Sequence, residues 1–67
     1  MAKYEAKYEI WKEDSIGDED VFDRDVFLFE AKNDKEAGRK AEDYKKKLES
    51  KFSYASHISF DLTKRVG

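Results

Sequence analysis

The one histidine, His57, stands at alternate positions with Ser59 and Asp61, the residue types from which nucleophilic catalysis is built. A relay of that kind needs hydroxyl, imidazole and carboxylate nested in successive hydrogen bonds, with donors waiting for the oxyanion. Alternate side chains of an extended segment leave one face side by side and diverge, so they do not nest. No glycine loop accompanies them, and His57 is expected to be a surface histidine. From Glu13 to Asp25 there are seven acids and one base, Arg24. Hard cations prefer such oxygen ligands, but Asp14-Ser15-Ile16-Gly17-Asp18-Glu19-Asp20 departs from the spacing of a calcium loop. A solvated acidic turn is the expectation, with divalent-cation binding over 13–25 left open. Lys45, Lys46, Lys47 and Lys51, with Arg39 and Lys40 upstream, are the residues suited to phosphates, although Glu42, Asp43 and Glu49 interleave and blunt the field. Trp11 could stack a nucleobase beside them. No glycine-rich phosphate loop or dinucleotide fingerprint occurs, and no cofactor is expected.

These residues need a scaffold, and 67 residues allow one domain near the lower size limit for independent folding. Any cleft must then lie on a sheet face, at an edge or between subunits. Cysteine is absent, which removes disulfides, thiolate metal sites and cysteine nucleophiles together. Small secreted domains usually carry such staples, so a cytoplasmic location is expected. The longest uninterrupted apolar stretch, Val26 to Phe29, is four residues and predicts neither a membrane span nor a signal-peptide core. Charged residues are 45% of the chain, yet the net charge is −2, unlike the basic excess of a dedicated nucleic-acid binder. With 15% aromatics in periodic positions, disorder is not the expectation either.

Period-two alternation over 3–13 puts Tyr4, Ala6, Tyr8 and Ile10 on one side and Lys3, Glu5, Lys7 and Glu9 on the other, which predicts a half-buried strand. A turn of glycine and short acidic residues follows, long enough for an open loop and a bulge. A second strand is expected over 21–32. Phe27, Phe29 and Ala31 share the core there, and Val26 and Leu28 take the other face. Asn33 reads as an N-cap with Glu36 completing a capping box, opening a helix over 34–52. Ala37, Ala41, Tyr44, Leu48 and Phe52 form its buried stripe. Glu36–Lys40, Glu42–Lys46 and Asp43–Lys47 are spaced to pair along it. Gly38 costs helix stability, which suggests a close backbone approach at that point. Ile58, Phe60 and Leu62 alternate with polar residues in a third strand over 56–63, and Lys64 to Gly67 are expected to fray.

The result is an α+β domain of order ββαβ. A hairpin, a return helix and a right-handed crossover give an antiparallel sheet of order 2-1-3, with the amphipathic helix packed on one face. Tyr4, Tyr8, Ile10, Phe27, Phe29, Leu48, Ile58, Phe60 and Leu62 are its expected large core residues. That order, with Glu36-Ala37 and Ala41 opening the helix after the second strand, is similar in layout to antitoxin-like members of the double-stranded-RNA-binding fold. No site residue comes across with the layout.

One helix covers one face of such a sheet. The other displays mostly paired charges, together with Trp11, Val26 and Leu28, and clustered exposed apolar groups mark interfaces more often than scattered ones do. The expected function is therefore non-enzymatic: a protein-interaction or dimerisation module using the open face or an edge strand, as a homodimer or with another protein. The alternative expectation is a weak nucleic-acid-binding domain using Lys45, Lys46, Lys47 and Lys51 with Trp11.

Overall fold

Alternation along β1 (Ala2–Glu13) is what organises the molecule, because this strand pairs on both sides. In the computed structural model, which describes residues 1–65, β1 lies between β2 (Glu19–Ala31) and β3 (His57–Arg65). The sheet order is β2-β1-β3 and both pairings are antiparallel. The expected architecture and order are thus observed. Between β2 and β3 runs α1 (Asp34–Lys51), which packs on one sheet face. Tyr4, Ala6, Tyr8 and Ile10 are buried beneath it, with Ala31, Ala37, Ala41, Leu48 and Ile58. Phe27, Phe29, Phe60 and Leu62 pack against this core but remain half-buried.

The two core tyrosines fasten helix to sheet through their hydroxyls. Tyr8 donates to the Ala41 carbonyl at 2.6 Å and Tyr4 donates to Asp34 Oδ1 at 2.7 Å. A third tie comes from the helix itself, where the Tyr44 hydroxyl donates to Asp25 Oδ2 at 2.7 Å and its ring stacks on Phe27 at 4.3 Å. Aromatic rings thus bury area while their polar ends find partners, and no described buried side-chain polar atom lacks one.

The helix begins as its cap predicts. Asn33 is extended, and its Oδ1 accepts from the Glu36 amide at 2.9 Å. Glu36 reaches back one residue further than a standard box, to the Lys32 amide at 3.4 Å, and pairs with Lys40 at 3.4 Å. Burial works against the Glu36 carboxylate, but the Lys32 amide and the Lys40 ammonium outweigh it and hold its pKa below the ordinary value. Glu42 takes Lys45 as its partner, at 3.9 Å.

Two expectations are corrected. A Cβ built on Gly38 meets no heavy atom within 4 Å, so no close packing requires the glycine. Lys64 and Arg65 do not fray: they pair with Tyr4 and Lys3 at the end of β3. Val66 and Gly67, expected to fray with them, lie outside the described residues. The hairpin loop is also tighter than an open loop. The Asp14 amide donates to the Asp18 carbonyl at 2.8 Å, and Gly17 sits at φ 91°, where glycine escapes the cost paid by other residues.

The irregularity lies further along, where Phe22 and Asp23 of β2 meet the single step Ile10–Trp11 of β1. This bulge re-aims the side chains beyond it. Val21 comes opposite Trp11, and Phe22 packs edge-on to Tyr54 with ring centroids 5.4 Å apart.

Candidate functional site

The face turned away from α1 is a ladder of five rows, read across β2, β1 and β3. Glu30, Lys3 and Arg65 form the first, followed by Leu28, Glu5 and Thr63; then Val26, Lys7 and Asp61; then Arg24, Glu9 and Ser59; and finally Val21, Trp11 and His57. Charges alternate across the middle rows, with Arg24 3.7 Å from Glu9 and Lys7 3.9 Å from Glu5. These are exposed pairs and contribute little individually.

Trp11 does not stand free on this face. Its ring stacks on His57 at 5.4 Å between centroids and 12° between planes, and its Nε1 donates to Ser59 Oγ at 3.1 Å. His57 Nδ1 in turn lies 3.0 Å from Glu19 Oε2. The imidazole is therefore engaged by a carboxylate and an indole, and the Ser59 hydroxyl by the same indole. His57, Ser59 and Asp61 share a face as expected; the contacts of His57 and Ser59 run to Glu19 and Trp11 as a cap over the sheet end, and Asp61 lies across from Lys7. On the main chain, the Trp11 carbonyl accepts from the Ser56 amide at 2.8 Å, which ties the α1–β3 connection to the end of β1.

Val26 and Leu28 are different. They lie next to each other on the open face of β2, an edge strand, and are 50% and 56% exposed. Lys7, directly opposite Val26, could have laid its stem over it, but its ammonium turns along its own strand to Glu5. Edge strands with exposed apolar runs invite pairing with another strand, and natural edges are commonly guarded by lysines or bulges. Here Lys40 Nζ donates to the Glu30 carbonyl at 2.8 Å, and the bulge at Phe22–Asp23 bounds the other end. Between the two guards the Arg24 and Val26 amides donate to the exposed-edge carboxylates of Asp23 and Asp25 at 2.8 Å each, and the pairing register with β1 is regular.

Lys45, Lys46, Lys47 and Lys51 lie in the last turns of α1, on the opposite side of the sheet from Trp11. The structure therefore does not bring the two parts of the nucleic-acid reading onto one surface. In the hairpin loop, Asp14 Oδ1 accepts from the Ile16 and Asp18 amides at 2.9 and 3.0 Å, so its carboxylate organises the turn. Among the described residues no group of three or more His, Asp or Glu side chains is placed to hold a metal ion.

A second aromatic group had no signal in sequence periodicity. Phe22, Phe52 and Tyr54 meet edge to face at 5.4 and 6.0 Å, with Lys12 Nζ 5.5 Å from the Phe22 ring and 5.6 Å from that of Tyr54. Cation–π attraction suits that placement. Beside it, Lys12, Asp14, Asp20 and Phe22 contribute to a hollow of about 430 Å³. Only the bulge, which no alternation pattern announces, turns Phe22 toward Tyr54.

Among the described residues no helix is long and apolar enough to cross a membrane. Compared with known proteins, the chain matches no family model, no curated protein and no solved structure.

Proposed function

We propose that this protein is a non-enzymatic, cytoplasmic interaction module whose contact surface is the open-face edge of β2, centred on Val26 and Leu28. The observation that supports the reading is the pair of adjacent, half-exposed aliphatic side chains on a long edge strand, left uncovered by the neighbouring charged stems. The contact is of the strand-addition type. Main-chain hydrogen bonds along the edge supply affinity, and the side chains on either face supply selectivity. The engagement of His57 and Ser59 by Glu19 and Trp11 supports a structural role for that end of the face rather than a chemical one.

Photo-crosslinking from position 28 in cells tests the reading. An adduct with a protein, whether another copy or a different chain, is the expected result. Labelling no stronger than from the solvent-facing Lys35 of α1 would sink it.

A further inference from the structure

The β2 edge is complementary to itself about Phe27, and we infer that a second copy of this chain is its occupant, paired β2 to β2 in antiparallel fashion. This rests on the reading of β2 as the contact edge and names what fills it. Two antiparallel edges related by a two-fold axis bring residues of the same face opposite each other, so the register can change only in steps of two. With Phe27 opposite Phe27 of the second copy, Val26 meets Leu28 and Arg24 meets Glu30. The symmetry repeats both pairs on the other side of the axis.

Four open-face side chains from each copy therefore form two aliphatic pairs at the centre and two opposite-charge pairs outside them. All four are exposed in the single chain. The neighbouring registers lose this match. Centring on Val26 puts Arg24 opposite Leu28. Centring on Leu28 puts Val26 opposite Glu30 and leaves Arg24 facing Lys32, past the end of β2 at Ala31, with no acid to meet. Charge complementarity thus selects one arrangement out of three.

The edge is bounded to suit it. Beyond Arg24 the bulge at Phe22–Asp23 ends the regular strand, and at Glu30 the Lys40 ammonium already holds the carbonyl at 2.8 Å. Within the matched stretch, 24–30, the Arg24 and Val26 amides donate to Asp23 and Asp25 Oδ1 at 2.8 Å each, and pairing exchanges these exposed bonds, with that of Lys40, for ladder bonds to the second copy. Pairing there makes one six-stranded sheet of order 3-1-2-2-1-3, with both helices on the same face. It leaves the Trp11–His57 cap free on each copy.

Because the chain contains no cysteine, introduced thiols report the register without background. Directly opposed residues have Cα atoms about 5 Å apart, within disulfide reach. An equimolar mixture of Arg24→Cys and Glu30→Cys proteins should oxidise to a mixed dimer at least about tenfold faster than either variant alone, since only the mixture sets the two thiols opposite each other. Sedimentation gives the second arm. Arg24→Glu and Glu30→Arg should each weaken self-association by at least about tenfold, and the double variant carrying both should recover it.

A wild-type chain that stays monomeric at millimolar concentration overturns the proposal, as does equal crosslinking by Arg24→Cys alone or failure of the charge swap to restore association. Circular dichroism of each variant separates lost pairing from lost fold. Should position 28 crosslink to a different protein while these arms show no self-pairing, the interaction reading survives and the self-pairing fails.

Discussion

At Gly38 an added methyl group meets nothing within 4 Å, and the residue sits inside a helix. Gly38→Ala is accordingly expected to stabilise the fold by about 1 kcal/mol, the difference in helix propensity, read as a higher urea midpoint with unchanged slope. No change, or destabilisation, would show that the glycine is needed after all. Tyr8 shows the opposite sensitivity. Its ring is buried between Tyr44 and Phe60, at 5.1 and 5.2 Å, and its hydroxyl is bound to the Ala41 carbonyl. Tyr8→Phe keeps the ring and removes one hydrogen bond, and a loss of about 1 kcal/mol is expected in the same measurement. A loss several times larger would mean that the helix had shifted.

The elements meet through tyrosines, and this gives the fold an alkaline limit. Burial pushes the Tyr8 hydroxyl up to about 12, from an ordinary value of 10.0. Hydrogen bonds to Asp34 and Asp25 raise Tyr4 and Tyr44 in the same direction, helped by burial and by the nearby negative charge. A pKa higher in the folded than in the unfolded chain means that the unfolded state releases its protons first. The associated stability is complete below the unfolded value of 10.0 and drains away as pH rises toward about 12. Urea midpoints should therefore fall steeply above pH 10, and less steeply in the Tyr8→Phe variant. A profile unchanged by that substitution would contradict the assignment. At the other end of the coupling, Asn33→Ala removes the acceptor for the Glu36 amide and should cost about 1 kcal/mol. A cost near zero in the urea midpoint would show that water replaces the cap.

Over the whole molecule, the hairpin is longer than the helix that covers it. Strands of 12 and 13 residues reach about 40 Å, whereas an 18-residue helix spans about 27 Å. The loop end of the hairpin therefore projects past the core. The radius of gyration is 13.4 Å, against about 11 Å for a compact chain of this length. Such a shape buries less of its own apolar surface, which leaves Phe27 and Phe29 half-buried and Val26 and Leu28 exposed. If β2 pairs with a second copy, thermal stability must rise with protein concentration by mass action. The midpoint should climb over a hundredfold dilution series for the wild type and stay flat for Leu28→Glu. Equal slopes for the two would place any self-association elsewhere.

Strand and helix identities were legible because each rests on near-neighbour periodicity: Tyr4 to Ile10 by twos, Ala37 to Phe52 by threes and fours, and a cap at Asn33. Strand order followed too, since a central strand needs one clean apolar face and β1 has it. Val26 and Leu28 on the open face were likewise readable from alternation. The long turn hinted at a bulge, but tertiary structure alone decided where it falls, because a register slip depends on which residues lie across the sheet. With it came the meeting of Phe22 and Tyr54 and the placing of Val21 opposite Trp11. It also decided that Trp11 is engaged by His57 and Ser59, that Gly38 touches nothing, and that the tyrosine hydroxyls bind Asp34, Ala41 and Asp25. Sequence spacing determines which face a side chain leaves from. What it meets there is set by residues up to 48 positions away, and only folding brings them together.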